Sequence, residues 1–317
     1  MSHEYRTVLH RADVMGTVVS LRVVVDPGAV GDRAEAARAC ASDGLVDDVS
    51  AGDTSAADMS ALEARINSSC EDFIQAMRRD EEVFTTYQES SVIRRLATGQ
   101  MTWDQVPDCV REVEAACRWA LEVTGGRFDA WWQGWFDPTG YVKGWSVERA
   151  FGRHLLPLYD RKGVVAVGVY AGGDIRFATS AKYPHWRWRT AVVNPLNPQQ
   201  LVGRIELLDG AIATSGIAER GEHIVNPATS CSATRGPDQG IWSQAIASAT
   251  VVAHSLDVAD MWATTAVVAG FEDLGWIADA DIVSGMVIAV DGRERRWVDG
   301  FEIVDSDDAL PAVSPGP

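Results

Sequence analysis

The sequence predicts an α+β layered fold, with helices mostly in the first half packing on a mixed or antiparallel sheet drawn from the second half. Three observations carry this. Helical apolar stripes concentrate before about residue 155. Short β-branched runs, separated by Gly, Pro and Asp turns, fill most of the remainder. No regular strand–helix–strand alternation is present, which argues against a doubly wound parallel sheet. A chain of 317 residues with 46% hydrophobic content is long enough to bury a sizeable core.

The elements follow in order. The run "MGTVVSLRVVV" (15–25) is β-branched and partly alternating, so it reads as a strand. Residues 26–58 are rich in Gly, Ala, Ser and Asp, contain no aromatic residue, and read as a flexible insertion with room for one short helix. Leu62, Ile66, Cys70, Phe73 and Met77 then recur at helical spacing within 59–80. Ser90-Ser91 offers a cap for a short helix that stops at Gly99. A second stripe, Val106, Val110, Val113, Cys117, Ala120 and Leu121, ends at Thr124-Gly125-Gly126. A further helix is expected from about Gly144 to Leu155. The runs "GVVAVGVYAGGDIRFAT", "WRWRTAVVNP", "LVGRIELLDGAIATSG" and "IASATVVAHS" read as strands, and "DVADMWATTAVVAG" as a helix ending on Gly270. "VSGMVIAVDGRERRWVDGFEIV" reads as a hairpin through Asp291-Gly292. One domain is expected over 1–305, with 306–317 as a disordered tail.

Charge and cysteine content narrow the function. With 28 Lys and Arg against 45 Asp and Glu, the net charge is −17. A nucleic-acid partner needs a basic face, so that class is set aside. An anionic small ligand remains compatible if backbone amides, one Lys or a metal meet its charge locally. Five cysteines without CxxC spacing read as reduced thiols in a cytoplasmic protein rather than a zinc site. No stretch reaches the roughly 18 apolar residues of a membrane span, so no membrane insertion is expected.

Several short motifs are ordinary when taken singly. "MGT" (15–17) is a turn and a core Met, "FTTY" (84–87) a strand end, "GGRFD" (125–129) a helix stop, and "AGGDI" (171–175) a hairpin turn. Asp260 and Thr264, at i and i+4, share a helical face and alone read as a surface carboxylate and a back-bonded Thr. Their order is informative. "MGT … FTTY … TGGRFD … FDPTGYVKGWSVERA … AGGDI … AIATSG … HIVNP … ADMWATTAVVAG" resembles the FAD:protein FMN transferases, the ApbE-like flavin transferases, over roughly residues 14–270. "DPTGYVKGW" and "ATSG…HIVNP…AD…AT" are the specific parts.

That resemblance implies an ApbE-like fold that binds FAD and Mg²⁺. The implied activity is transfer of the FMN moiety of FAD to a Thr or Ser hydroxyl of an acceptor protein, with release of AMP. Carried onto this chain, Met15 and Tyr87 flank the flavin or its ribityl chain, Asp137 and Lys143 contact FAD, and Ile224 sits beside the ligand. The Gly140 carbonyl, Asp260 and Thr264 hold Mg²⁺, and His223 handles the proton or makes a structural hydrogen bond. The residue types suit the chemistry. A hard divalent cation takes oxygen ligands, and an imidazole titrates near neutral pH. The chain departs from the family pattern at Asn226, where the family usually carries Asp, at Ser230 in place of Gly, and at Tyr170 in place of Asn. Residues 228–243 form a longer connection than the family's. Two other functions use the same site: a Mg²⁺-dependent FAD pyrophosphatase with water as nucleophile, and a non-catalytic FAD-binding protein.

Overall fold

The computed structural model describes residues 4–30, 51–216, 225–226, 231–232 and 245–303. Its centre is a nine-stranded sheet. The strands are β1 (Arg6–Val14), β2 (Thr17–Val25), β3 (Val164–Ala171), β4 (Asp174–Thr179), β7 (Gly210–Gly216), β10 (Ile246–Ala253), β11 (Ser284–Ala289), β12 (Glu294–Val298) and β13 (Phe301–Ile303), in that spatial order. Every neighbouring pair is antiparallel. Two smaller ladders stand apart: β5 (Trp188–Asn194) with β6 (Asn197–Leu207), and β8 (Val225–Asn226) with β9 (Cys231–Ser232). The α+β class expected from the sequence is observed.

The sheet is apolar on both faces, and its alternation sorts the layers. Val19, Leu21, Val23 and Val25 of β2 point to the larger core, and Val24 between them points to the other side. Helices cover the first face. They are α1 (Ala51–Phe84), α2 (Val92–Ala97), α3 (Asp108–Val123), α4 (Thr139–Ala150) and α5 (Leu256–Ala269). The β5–β6 ladder covers the second face, where Trp188 stacks on Phe177 with centroids 4.5 Å apart. Strands buried on both faces read as continuous apolar runs, as β3 "VVAVGVYA" and β10 "IASATVVA" do.

The helical stripes fall where their spacing places them. Ile66, Cys70, Phe73 and Met77 on α1 are fully buried, as are Val110, Val113, Cys117 and Ala120 on α3. Ser91 caps α2: its Oγ accepts from the Arg94 N–H at 3.2 Å and donates to the Thr85 carbonyl at 2.6 Å. Ser91→Ala removes both bonds and is expected to cost about 1–2 kcal/mol. A urea midpoint equal to that of the parent would contradict this role.

Several boundaries differ from the sequence reading. Of the segment 26–58, read above as a flexible insertion with one short helix, Pro27–Val30 form a helical turn and residues 51–58 belong to α1; residues 31–50 and 304–317, which include the expected tail, lie outside the described residues. Extending a helix already nucleated over 59–84 costs little per residue, so the helix runs on into this segment. Strand β1 has no counterpart in the sequence reading, because its polar residues alternate along a half-exposed edge strand. A two-residue turn joins it to β2, with Met15 (φ 53°) and Gly16 (φ 70°) both left-handed. That geometry suits the twist of a hairpin and is uncommon for Met. Helix α4 starts at Thr139, ahead of the expected Gly144, because the Asp137 carboxylate accepts from the Thr139 N–H at 3.1 Å. It continues as a π turn over Phe151–Leu155. The expected hairpin through Asp291-Gly292 joins β11 to β12.

Candidate functional site

The site is built on the contact between α4 and α5. Gly144 makes the close approach possible. A Cβ at this position would stand 2.9 Å from the Leu256 carbonyl oxygen, 3.0 Å from the Asp257 Cα and 3.1 Å from the Asp260 Cβ. With the backbones this close, Lys143 on α4 reaches Asp260 on α5, Nζ to Oδ2 3.8 Å. Its nearer partner is Asp174, the first residue of β4, whose Oδ2 is in direct contact with the Lys143 ammonium. Asp174 is fully buried and Asp260 is 5% exposed. Burial, then the Asp260 charge, push Asp174 up to about 7, against the pull of Lys143. Two carboxylates therefore share one ammonium in a protected position.

Polar groups around the cluster fix its parts. Glu148, one turn after Gly144 on α4, accepts from the Leu256 N–H at 2.9 Å. It thereby satisfies a donor at the start of α5, where Ser255 makes no side-chain cap. The same carboxylate takes the Arg176 Nε–H at 2.9 and 3.1 Å. Arg176 Nη1 goes on to Asp209 at 2.7 Å and to the Gly210 carbonyl at 3.2 Å. The Tyr141 hydroxyl donates to Asp257 Oδ2 at 3.0 Å, and burial with that carboxylate holds the phenol proton on. A line of hydroxyls crosses from helix to sheet. Thr264, one turn beyond Asp260, meets Ser215 of β7 at 3.3 Å, and Thr214 meets Thr250 of β10 at 2.9 Å.

The residues named from the sequence divide into four groups. Lys143, Asp260 and Thr264 lie within the cluster or beside it. Asp137 and Gly140 stand at the start of α4. Asp137 accepts from the Thr139 N–H and, at 2.7 Å, from the Thr139 hydroxyl, while Gly140 packs by Phe128. Met15 and Tyr87 belong to other segments of the chain. Met15 forms the β1–β2 turn and donates its N–H to Glu81 Oε1 at 2.9 Å, beside an open groove of about 430 Å³ lined by Asp13, Gly16 and Thr17. Tyr87 is 96% exposed, just past the end of α1. His223 and Ile224 lie outside the described residues. Asn226 pairs with Cys231 in the β8–β9 ladder. Tyr170, at another departure from the family pattern, packs edge-on to Phe177 beneath the Arg22 guanidinium.

Sequence reasoning missed Asp174, Ser215, Glu148 and Arg176. Asp174 stood in the quoted "AGGDI", where its neighbours mark only a turn.

Among the described residues, no three His, Cys, Asp or Glu side chains gather as a metal cage. Asp260 and Thr264 nevertheless set a carboxylate and a hydroxyl on one face of α5. Those are the donor types a hard divalent cation takes. When both carboxylates are ionised, the Lys143 ammonium offsets only one of their two charges.

These features define an α+β protein whose charged centre is clamped between two helices and the middle of an antiparallel sheet. Residues 132–286, which span α4, β4 and α5, match the model of the ApbE family. The fold agrees across most of the chain. The ApbE protein of Thermotoga maritima superposes with a TM-score of 0.64 at 20% identity, covering 92% of this chain and 97% of that one. The flavin transferase ApbE of Vibrio cholerae gives 0.59 at 18% identity, covering 93% and 97%. The apo flavinyl transferase ApbE of Pseudomonas stutzeri gives 0.59 at 16% identity, covering 92% and 93%. No curated protein matches the chain.

Proposed function

We propose that this chain is a Mg²⁺-dependent flavin transferase. It takes FAD, moves the FMN moiety to a Thr or Ser hydroxyl of an acceptor protein, and releases AMP. The observation that carries the reading is the buried Lys143–Asp174–Asp260 cluster inside the ApbE-family region. The solved relatives named flavin transferases support it at the level of FMN transfer from FAD to a protein.

The roles follow from placement and chemistry. Asp260, Thr264 and the Gly140 carbonyl are the oxygen donors for the cation. When bound, the cation would neutralise charge on the pyrophosphate. Lys143 presents a positioned ammonium to FAD, a point charge rather than a fork. Asp137 fixes the first turn of α4, and with it the approach of Gly140 and Lys143. The acceptor oxygen attacks the FMN-side phosphorus. The bond from that phosphorus to the AMP oxygen breaks, and AMP leaves with the electron pair. The acceptor's proton is assigned to His223, since an imidazole nitrogen is a suitable general base. Met15 and Tyr87 are assigned to the flavin end. The scattered cysteines favour a reducing, cytoplasmic setting.

One incubation tests the reading. The protein is mixed with FAD, Mg²⁺ and a peptide carrying a Thr acceptor, and products are read by mass spectrometry. The expected product is the flavinylated peptide with AMP. Free FMN with AMP would mean a pyrophosphatase, and untouched FAD a binding protein. Titration calorimetry with FAD is expected to show binding that Mg²⁺ strengthens; no heat in either condition would remove the site.

A further inference from the structure

We propose that Glu148 is a positioning residue: its bond to the Leu256 N–H sets where α5 begins, and so where α5 presents Asp260 and Thr264 to a divalent cation. The inference rests on the cation-dependent reading above.

Burial holds α5 to the core. Leu256, Ala259, Met261, Ala263 and Ala266 are all fully buried. Apolar burial is strong but non-directional, so by itself it tolerates a small slide of the helix along its axis. Directional bonds decide that position. Two of them reach the first turn of α5 from α4. Tyr141 donates to Asp257 at 3.0 Å, and Glu148 Oε2 accepts from the Leu256 N–H at 2.9 Å. The second bond meets a backbone donor at the first helical position, which no helix carbonyl can satisfy. A backbone group cannot turn aside as a side chain can. Asp260 follows one turn further along the same helix.

Glu148 is itself tied to the sheet. Arg176 is buried within β4, whose neighbours are β3 and β7. Its guanidinium lies over the Phe151 ring, 4.8 Å from the centroid, and its Nη1 reaches Asp209 and the carbonyls of Phe177 and Gly210. A group held from so many sides is a fixed reference point. Glu148 Oε2 takes the Arg176 Nε–H and the Leu256 N–H, each at 2.9 Å. One oxygen thus joins the middle of the sheet to the start of α5. A carboxylate at a helix start also meets the positive end of the helix dipole. Further along α5, Thr264 meets Ser215 of β7 at 3.3 Å, a contact that closes only while the helix keeps its height over the sheet.

Two substitutions of equal reach separate this role from that of a simple partner for Arg176. Glu148→Gln and Glu148→Met both remove the charge that faces Arg176. Only Gln keeps an oxygen that accepts from the Leu256 N–H. A residue that merely neutralised Arg176 would leave the two variants with the same cation affinity.

The test uses Mn²⁺ as the probe, with the free ion counted by electron paramagnetic resonance in full-length protein without denaturant. No turnover is needed. Circular dichroism first shows that each variant is folded, so a loss of global stability alone does not move the result. Glu148→Gln is expected to bind Mn²⁺ within about threefold of the parent, and Glu148→Met roughly 10- to 100-fold more weakly. Equal affinities of the two variants, near the parent or far below it, overturn the proposal and leave the cation reading standing. A parent that binds no Mn²⁺ overturns the cation reading and the proposal with it. Should Glu148→Met fail to fold, Glu148→Gln decides alone: near-parent affinity supports the proposal, and a loss of about tenfold or more overturns it.

Discussion

Asp260→Ala is expected to lower single-turnover release of AMP from FAD to the level of a protein-free control. Lys143→Ala should lower it only about 10- to 150-fold. The two losses differ because the groups do different work. Asp260 is the carboxylate on the α5 face that also carries Thr264, and removing a cation's anionic ligand releases the largest local charge in the site. Losing Lys143 removes one charge-assisted contact, worth roughly 1.5–3 kcal/mol, which gives the stated range. It leaves the Asp260 carboxylate and the Thr264 hydroxyl in place on α5. Single-turnover rates at saturating FAD compare the two variants directly. Equal losses would contradict the ranking and with it the assignment of Asp260 as a cation ligand.

Gly144→Ala is expected to weaken both the fold and the site. A methyl group here meets the backbone of Leu256 and Asp257 at 2.9 and 3.0 Å, closer than such contacts allow. The neighbours are helix backbone and cannot rotate away, so α4 and α5 must separate. Overpacking of this kind costs about 1–3 kcal/mol. Ala in place of Gly inside a helix returns about 1 kcal/mol of propensity, so the net stability loss is up to about 2 kcal/mol. The separation carries Lys143 away from Asp260, and FAD and cation affinity fall with it. Gly152→Ala is the control: nothing lies within 4 Å of its added Cβ. Urea midpoints and FAD titrations of the two variants side by side would sink the argument if they coincided.

What the sequence made legible follows from what is periodic or contiguous. The stripe from Leu62 to Met77 declares its helix and its buried face, because one helix face repeats every three to four residues. Asp260 and Thr264 declare a shared face for the same reason. Lys143 and Asp174 stand on different elements, and no local pattern ties a helix lysine to a strand's first residue. Their contact exists only after β3 and β4 turn back under α4. Glu148 and Arg176 were silent likewise, since a cap supplied to Leu256 from another helix leaves no mark near Ser255. The edge strand β1 was hidden by its polar positions, and the start of α1 by a composition that reads as unstructured. Tyr87 and Met15 were legible as motif members only, since a solvent-exposed side chain and a hairpin turn carry no periodic signal.

The place of β2 beside β3 bears on the order in which the molecule assembles. Val25 pairs with Val164, and all of α1 to α4 lies between them in the chain. Closing an interval that long costs about 4 kcal/mol of chain entropy before any contact repays it. The β3–β4 turn, by contrast, joins Ala171 to Asp174 almost directly. The first hairpin is therefore the last strand pair to gain from docking, and it joins a sheet edge that its own segment did not help to form. Of the ion cluster, Lys143 lies near the end of that interval, and Asp174 and Asp260 lie beyond it. None of its three residues belongs to the amino-terminal hairpin, so the cluster's contacts do not themselves require that hairpin to be paired with β3.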